Sequence, residues 1–223
     1  MRKTSISKFI AEMTADLKAQ QTTRSKFFRR LIAFDRDLMT PLVHEAGHAI
    51  AAWALGFPIL ELNVREFNAD GDGNYHKFLS YAFDAEEILS RPVETQTHMA
   101  VITLSGIAAE ARAFPKSFFD PANEEAWDGD LERVVDFVRC IQGPDDFTEV
   151  LLSLYGDVTE ILDANWARLE WLVIGAMQYG PVLNGRQVVE LIEDAGPRRR
   201  KRPLGRPVVD RCKTICSRSV VFA

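Results

Sequence analysis

Cysteine is scarce in this chain of 223 residues: Cys140, Cys212 and Cys216 are the full set. Three unevenly placed thiols exclude a disulfide framework and fit a reducing compartment. Cys212-x-x-x-Cys216 lacks the second ligand pair that a structural zinc site requires. Long hydrophobic runs are also missing. The longest, Ala49 to Leu60, is too short to span a bilayer. The amino terminus opens Met1-Arg2-Lys3, but Glu12, Asp16 and Lys18 interrupt any apolar stretch, which excludes a signal peptide. The expectation is a soluble, cytoplasmic protein. No Gly-x-x-x-x-Gly-Lys-Ser/Thr segment occurs, so the chain carries no phosphate-cradling loop of the ATPase type.

Positive charge is scarce in the middle. Residues 41–196 hold nine Lys/Arg against 27 Asp/Glu, whereas residues 1–40 hold nine against four and residues 197–223 nine against one. A body this acidic is not expected to bind nucleic acid. The two basic ends read first as solubility and association with the acidic body, with an anionic partner or membrane surface as the less favoured reading.

Hydrophobic residues make up 47% of the chain, enough for one ordinary core. Three parts are expected: a basic amphipathic helical segment at 1–37, a folded domain at 38–196, and a basic, disordered tail at 197–223. The segment Lys26 to Arg36 is the amphipathic stripe, suited to packing on a core or on a sister subunit in a homo-oligomer.

The folded part is organised around Pro41-Leu42-Val43-His44-Glu45-Ala46-Gly47-His48, which contains His-Glu-x-x-His. Residues four apart on a helix share a face, so His44 and His48 can point two imidazoles at one ion. Zinc favours such nitrogen ligands. Glu45 is placed to act as a general base on a water that the metal acidifies. Thr40 followed by Pro41 reads as an N-cap and first-turn proline. Gly56-Phe57-Pro58 reads as the stop. The apolar run between them predicts a helix buried on most sides, where two histidines and a glutamate need a compensating partner.

Downstream, Ile59 to Phe67 and Tyr75 to Tyr81 read as two strands joined by a turn at 68–74. Asp70-x-Asp72-x-Asn74 lacks the glutamate of a calcium loop, since position twelve is Tyr81. Residues 84–114 predict helix in two parts, interrupted at Pro92. Its small residues, Ser105 to Ala111, allow close packing on another helix. His98 and Glu110 on this stretch are candidate zinc ligands. Residues 115–126 read as loop, with Asp128 or Asp130 as an N-cap of the helix that follows. Residues 147–179 predict two helices, and Leu183-Asn184-Gly185 a turn into a short helix from Arg186 to Glu193.

In this order, these features resemble the peptidase domain of the FtsH-type zinc proteases across residues 38–193. His-Glu-Ala-Gly-His is verbatim at 44–48. The family's Leu-x-Gly-Gly-Arg-x-Ala-Glu is echoed by Leu104-Ser105-Gly106-Ile107-Ala108-Ala109-Glu110. Its Asp-Leu-x-x-Ala-Thr is echoed by Asp130-Leu131-Glu132-Arg133-Val134-Val135. The second glycine is thus Ile107, and Ala-Thr is Val134-Val135. The resemblance implies a mainly α fold, a helical zinc-peptidase domain with a small β-hairpin beside the His-Glu-x-x-His helix. It implies Zn2+ held by His44, His48 and Asp130, with Asp130 preferred over Glu110 and Asp128, and Glu45 as the catalytic base. The expected activity is metalloendopeptidase cleavage of flexible or unfolded polypeptides, with a separate AAA ATPase acting in trans as an optional partner. The rival expectation is a catalytically silent peptidase-like binding module or an adaptor of an ATPase–protease assembly.

Overall fold

The structure, a computed structural model, describes residues 36–67, 74–81, 90–114, 124–142, 148–180 and 182–195. The expectations for the amphipathic segment before residue 36, the turn centred on 68–73, the first helical part from residue 84 and the basic tail lie outside these residues. The fold is mainly α, as expected, with five helices among the described residues and a small antiparallel sheet.

Helix α1 spans Arg36–Leu55 and forms the centre of the domain, packed against helix α2 (Val93–Ala113), helix α4 (Thr148–Tyr179) and strand β1 (Ile59–Phe67). Every residue from Pro41 to Ala52 is buried. The helix begins before Thr40, so Pro41 is neither capped by Thr40 nor in the first turn. It lies inside the helix and forfeits one backbone hydrogen bond there. Burial of Met39, Leu42 and Val43 on both sides of it favours continuing the helix through the proline. The carboxyl end stops at Gly56, whose φ is 77°. Gly56 N–H donates to Trp53 O at 3.2 Å and Phe57 N–H to Ala52 O at 2.8 Å. Those two bonds form a Schellman motif, which requires a left-handed residue at this position.

Strand β1 pairs antiparallel with β2 (Asn74–Tyr81), with Val64 opposite Lys77. The expected hairpin is therefore present, but it is not the whole sheet. Val182–Asn184, which overlaps the turn expected at 183–185, forms strand β3 on the other edge of β1, with Leu62 opposite Leu183. The order is β2-β1-β3. Leu62, Val64 and Leu183 are all buried, so the short third strand is held by its one apolar side chain facing the core. Asn184 then caps helix α5 (Gly185–Asp194). Gln187 N–H donates to Asn184 Oδ1, and Asn184 N–H to Gln187 Oε1, both at 3.0 Å.

Helix α2 starts directly after Pro92 and is buried almost throughout. Its small residues let α1 approach closely. A β-carbon on Gly47 would lie 2.6 Å from Ala109 Cβ. Helix α3 spans Glu124–Gln142 and begins before Asp128 and Asp130, so neither residue precedes it as an N-cap. Residues 148–179 form one helix, α4, rather than two. Gly156 lies inside this helix, but a lone glycine costs only about 1 kcal/mol there. Leu151, Leu154, Val158 and Ile161 keep a buried stripe in phase across it. No helix among the described residues is long and apolar enough to cross a membrane.

Candidate metal centre

Three elements deliver the site. Helix α1 carries His44, Glu45 and His48; α3 carries Asp130; α2 backs both imidazoles. The helical repeat brings the His44 and His48 rings to 4.7 Å between centroids, at 82° to one another. Asp130 Oδ2 meets His44 Nε2 at 2.8 Å and His48 Nε2 at 3.3 Å. Ligand atoms of these three residues lie within 4.8 Å of one another, and together they can hold a metal ion. The Asp130 side chain is 16% exposed and that of His44 is fully buried, so the centre meets solvent on the Asp130 side.

The second ring nitrogens are held as well. Nδ1 of His48 lies 2.8 Å from the Ile102 carbonyl oxygen, to which it donates. Nδ1 of His44 lies 3.0 Å from Glu110 Oε2. A neutral imidazole carries one proton. With that proton on Nδ1, each Nε2 presents a lone pair, and both lone pairs converge on a carboxylate oxygen. Such a meeting of three electron-pair donors is unfavourable until a cation or extra protons join it. The donor set of two imidazoles and one carboxylate fits a divalent ion that accepts nitrogen and oxygen ligands.

Burial favours the neutral form of the Asp130 carboxyl, but His48 and His44, when protonated, outweigh it and hold the group well below the usual carboxylate range. Arg133 Nη1, 3.6 Å from Asp130 Oδ1, is mostly solvent-exposed and adds little to that balance.

Glu45 is 3% exposed, and its Oε2 has no hydrogen-bond partner among the described residues. An orphaned buried carboxylate oxygen is costly, and this one belongs to the residue that follows His44 on α1. Gly106 of α2 gives the rings their space: a β-carbon at this position would overlap His48 Cε1 and Nε2 and lie 2.8 Å from His44 Cδ2. Ile107, its neighbour, is wholly buried in the core.

Among the sequence candidates, His44, His48 and Asp130 are brought together, with Asp130 inside a helix rather than ahead of one. Glu110 reaches the outer nitrogen of His44 instead of joining the three. His98 stands apart from the group, with its ring edge-on to Phe57 at 6.0 Å and its Nε2 buried without a hydrogen-bond partner among the described residues. The side chain of Asp128 lies outside the described residues. The Glu110–His44 and Ile102–His48 contacts are not legible in the sequence. They join residues 66 and 54 positions apart, and no local pattern announces them. No protein-family model and no curated protein matches the chain.

Proposed function

We propose that this protein is a zinc-dependent peptidase that hydrolyses peptide bonds in flexible or unfolded polypeptides. The observation that carries this reading is the convergence of His44 Nε2, His48 Nε2 and Asp130 Oδ2, with Glu45 following His44 on the same helix and holding a buried carboxylate oxygen that has no hydrogen-bond partner among the described residues. Three protein ligands leave one position of a tetrahedral ion open, as hydrolytic zinc sites require. When bound there, zinc lowers the pKa of water and polarises a carbonyl.

The chain's own residues do the rest. His44 and His48 present nitrogen lone pairs from a rigid buried helix, and Asp130 closes the set from α3. Glu45 Oε2 takes the proton of the attacking water and passes it to the departing amine nitrogen. With no competing hydrogen bond among the described residues, that oxygen is available to accept. The Asp130 side, where the centre meets solvent, is the route for an extended polypeptide.

Purified protein loaded with zinc and given an unstructured polypeptide should release new amino termini. Glu45→Gln should slow this about 10²–10⁴-fold while zinc remains bound. Full activity in Glu45→Gln would sink the mechanism, and an inert zinc-loaded parent would favour a binding module.

A further inference from the structure

Glu110 is a buried acid beside the centre that the proposed chemistry does not use. It lies on α2, 2% exposed, with Oε2 3.0 Å from His44 Nδ1. The other nitrogen of that ring, Nε2, faces Asp130 Oδ2 at 2.8 Å. The two ring nitrogens of an imidazole direct their in-plane bonds away from one another. An ion held by Nε2 therefore has the ring between itself and Glu110, so Glu110 cannot join the same coordination set in this arrangement.

His48 is held in a parallel way by a weaker acceptor, the neutral carbonyl of Ile102, at 2.8 Å. Bonds to an ionised acceptor are roughly twice as strong as neutral ones. A carboxylate also draws the Nδ1 proton towards itself and makes the opposite nitrogen a better donor. The two histidines are thus inequivalent, and His44 is the more strongly biased of the pair. The end of α2 that carries Glu110 is itself anchored. Two residues on, Arg112 pairs with Asp163 of α4, and its guanidinium lies 4.4 Å from the centre of the Trp166 ring.

We propose that Glu110 is a positioning residue that fixes the tautomer and orientation of His44 and thereby sets how tightly the centre holds its ion. The inference rests on the metal-centre reading above but not on peptidase activity.

The test is zinc affinity of the full chain, measured by competition with a chromogenic chelator. Parent, Glu110→Gln, Glu110→Ala and His44→Ala are compared, with thermal unfolding of each. Nitrogen NMR of the metal-free proteins reports the His44 tautomer. Loss of an outer carboxylate of this kind costs about 10–100-fold in metal affinity. Glu110→Ala should lose that much, with His44 no longer held as the Nδ1–H form. Glu110→Gln should lose less, because its amide oxygen still accepts. If the alanine variant does not fold, Glu110→Gln decides alone: several-fold weaker zinc supports the role, and parental affinity overturns it. Loss as complete as in His44→Ala would instead make Glu110 a direct ligand and overturn it. A parent that binds no zinc overturns the metal-centre reading together with this inference, whereas a zinc-binding parent with unchanged variants overturns this inference alone.

Discussion

The ring of His48 lies so close over Gly106 that a methyl group on residue 106 would overlap its Cε1 and Nε2 atoms. The same methyl would sit 2.8 Å from His44 Cδ2. One glycine on α2 thereby sets the depth to which both imidazoles can enter the centre. Gly106→Ala should displace His48 from its bond to the Ile102 carbonyl. Overpacking of this kind costs about 1–3 kcal/mol. Zinc binding should weaken at least as much as on loss of an outer partner, about tenfold or more. Chemical denaturation and chelator competition would measure the two effects, and parental zinc affinity in Gly106→Ala would contradict so tight a packing of ring on glycine.

Asp130 joins α3 to α1 through the two histidines. Asp130→Ala should leave two nitrogen ligands on one helix. Elemental mass spectrometry of protein purified without added metal should find about one zinc per chain in the parent and clearly less in the variant. Equal zinc in both would remove Asp130 from the ligand set.

Metal removal should lower thermal stability, because an ion bound by His44, His48 and Asp130 would tie α3 directly to α1, whereas α3 otherwise packs mainly on α2. A ligand at a hundredfold excess over its Kd adds about 2.7 kcal/mol. For a domain of this size, that corresponds to roughly 5–10 °C in Tm. Calorimetry with excess zinc and with a chelator gives the comparison, and His44→Ala should show no difference between the two conditions. An unchanged parental Tm would mean that no ion bridges the helices.

His98 supplies a pH dependence separate from the metal centre. Burial lowers its pKa below the usual histidine value, against the opposing pull of Glu94. The folded chain therefore holds fewer protons than the unfolded chain once pH falls below about 6.5. The stability is fully present above that value and is lost progressively as pH falls towards the lower folded pKa. His98→Gln should flatten the decline between about pH 7 and pH 5 in urea titrations of the metal-free protein. An identical slope in parent and variant would show that His98 titrates alike in both states.

Some features are legible in the sequence because they are local. His44 and His48 share a face through the helical repeat alone, and Gly56 ends α1 because few other residues adopt its φ of 77°. The β1–β2 hairpin follows from two short β-rich runs, and the start of α5 from an asparagine and a glutamine three residues apart. Features decided by distant partners are not legible in this way. Pro41 and Gly156 are helix breakers by propensity, yet each lies inside a helix whose flanking residues are buried. Val182–Asn184 is too short to declare itself a strand and becomes one only because β1 offers a free edge.

The placement of His44 and His48 on one helix face, with Glu45 directly after His44, was thus determined by the sequence, since a five-residue helical motif needs no tertiary information. The assignment of the acids was decided only by the tertiary structure. Asp130 and Glu110 are both acids far along the chain from His44, and nothing local separates their roles. Packing of α3 puts one on Nε2 at 2.8 Å, and packing of α2 puts the other on Nδ1 at 3.0 Å. The difference between the proposed ligand and the proposed outer partner lies in which edge of one ring each helix reaches.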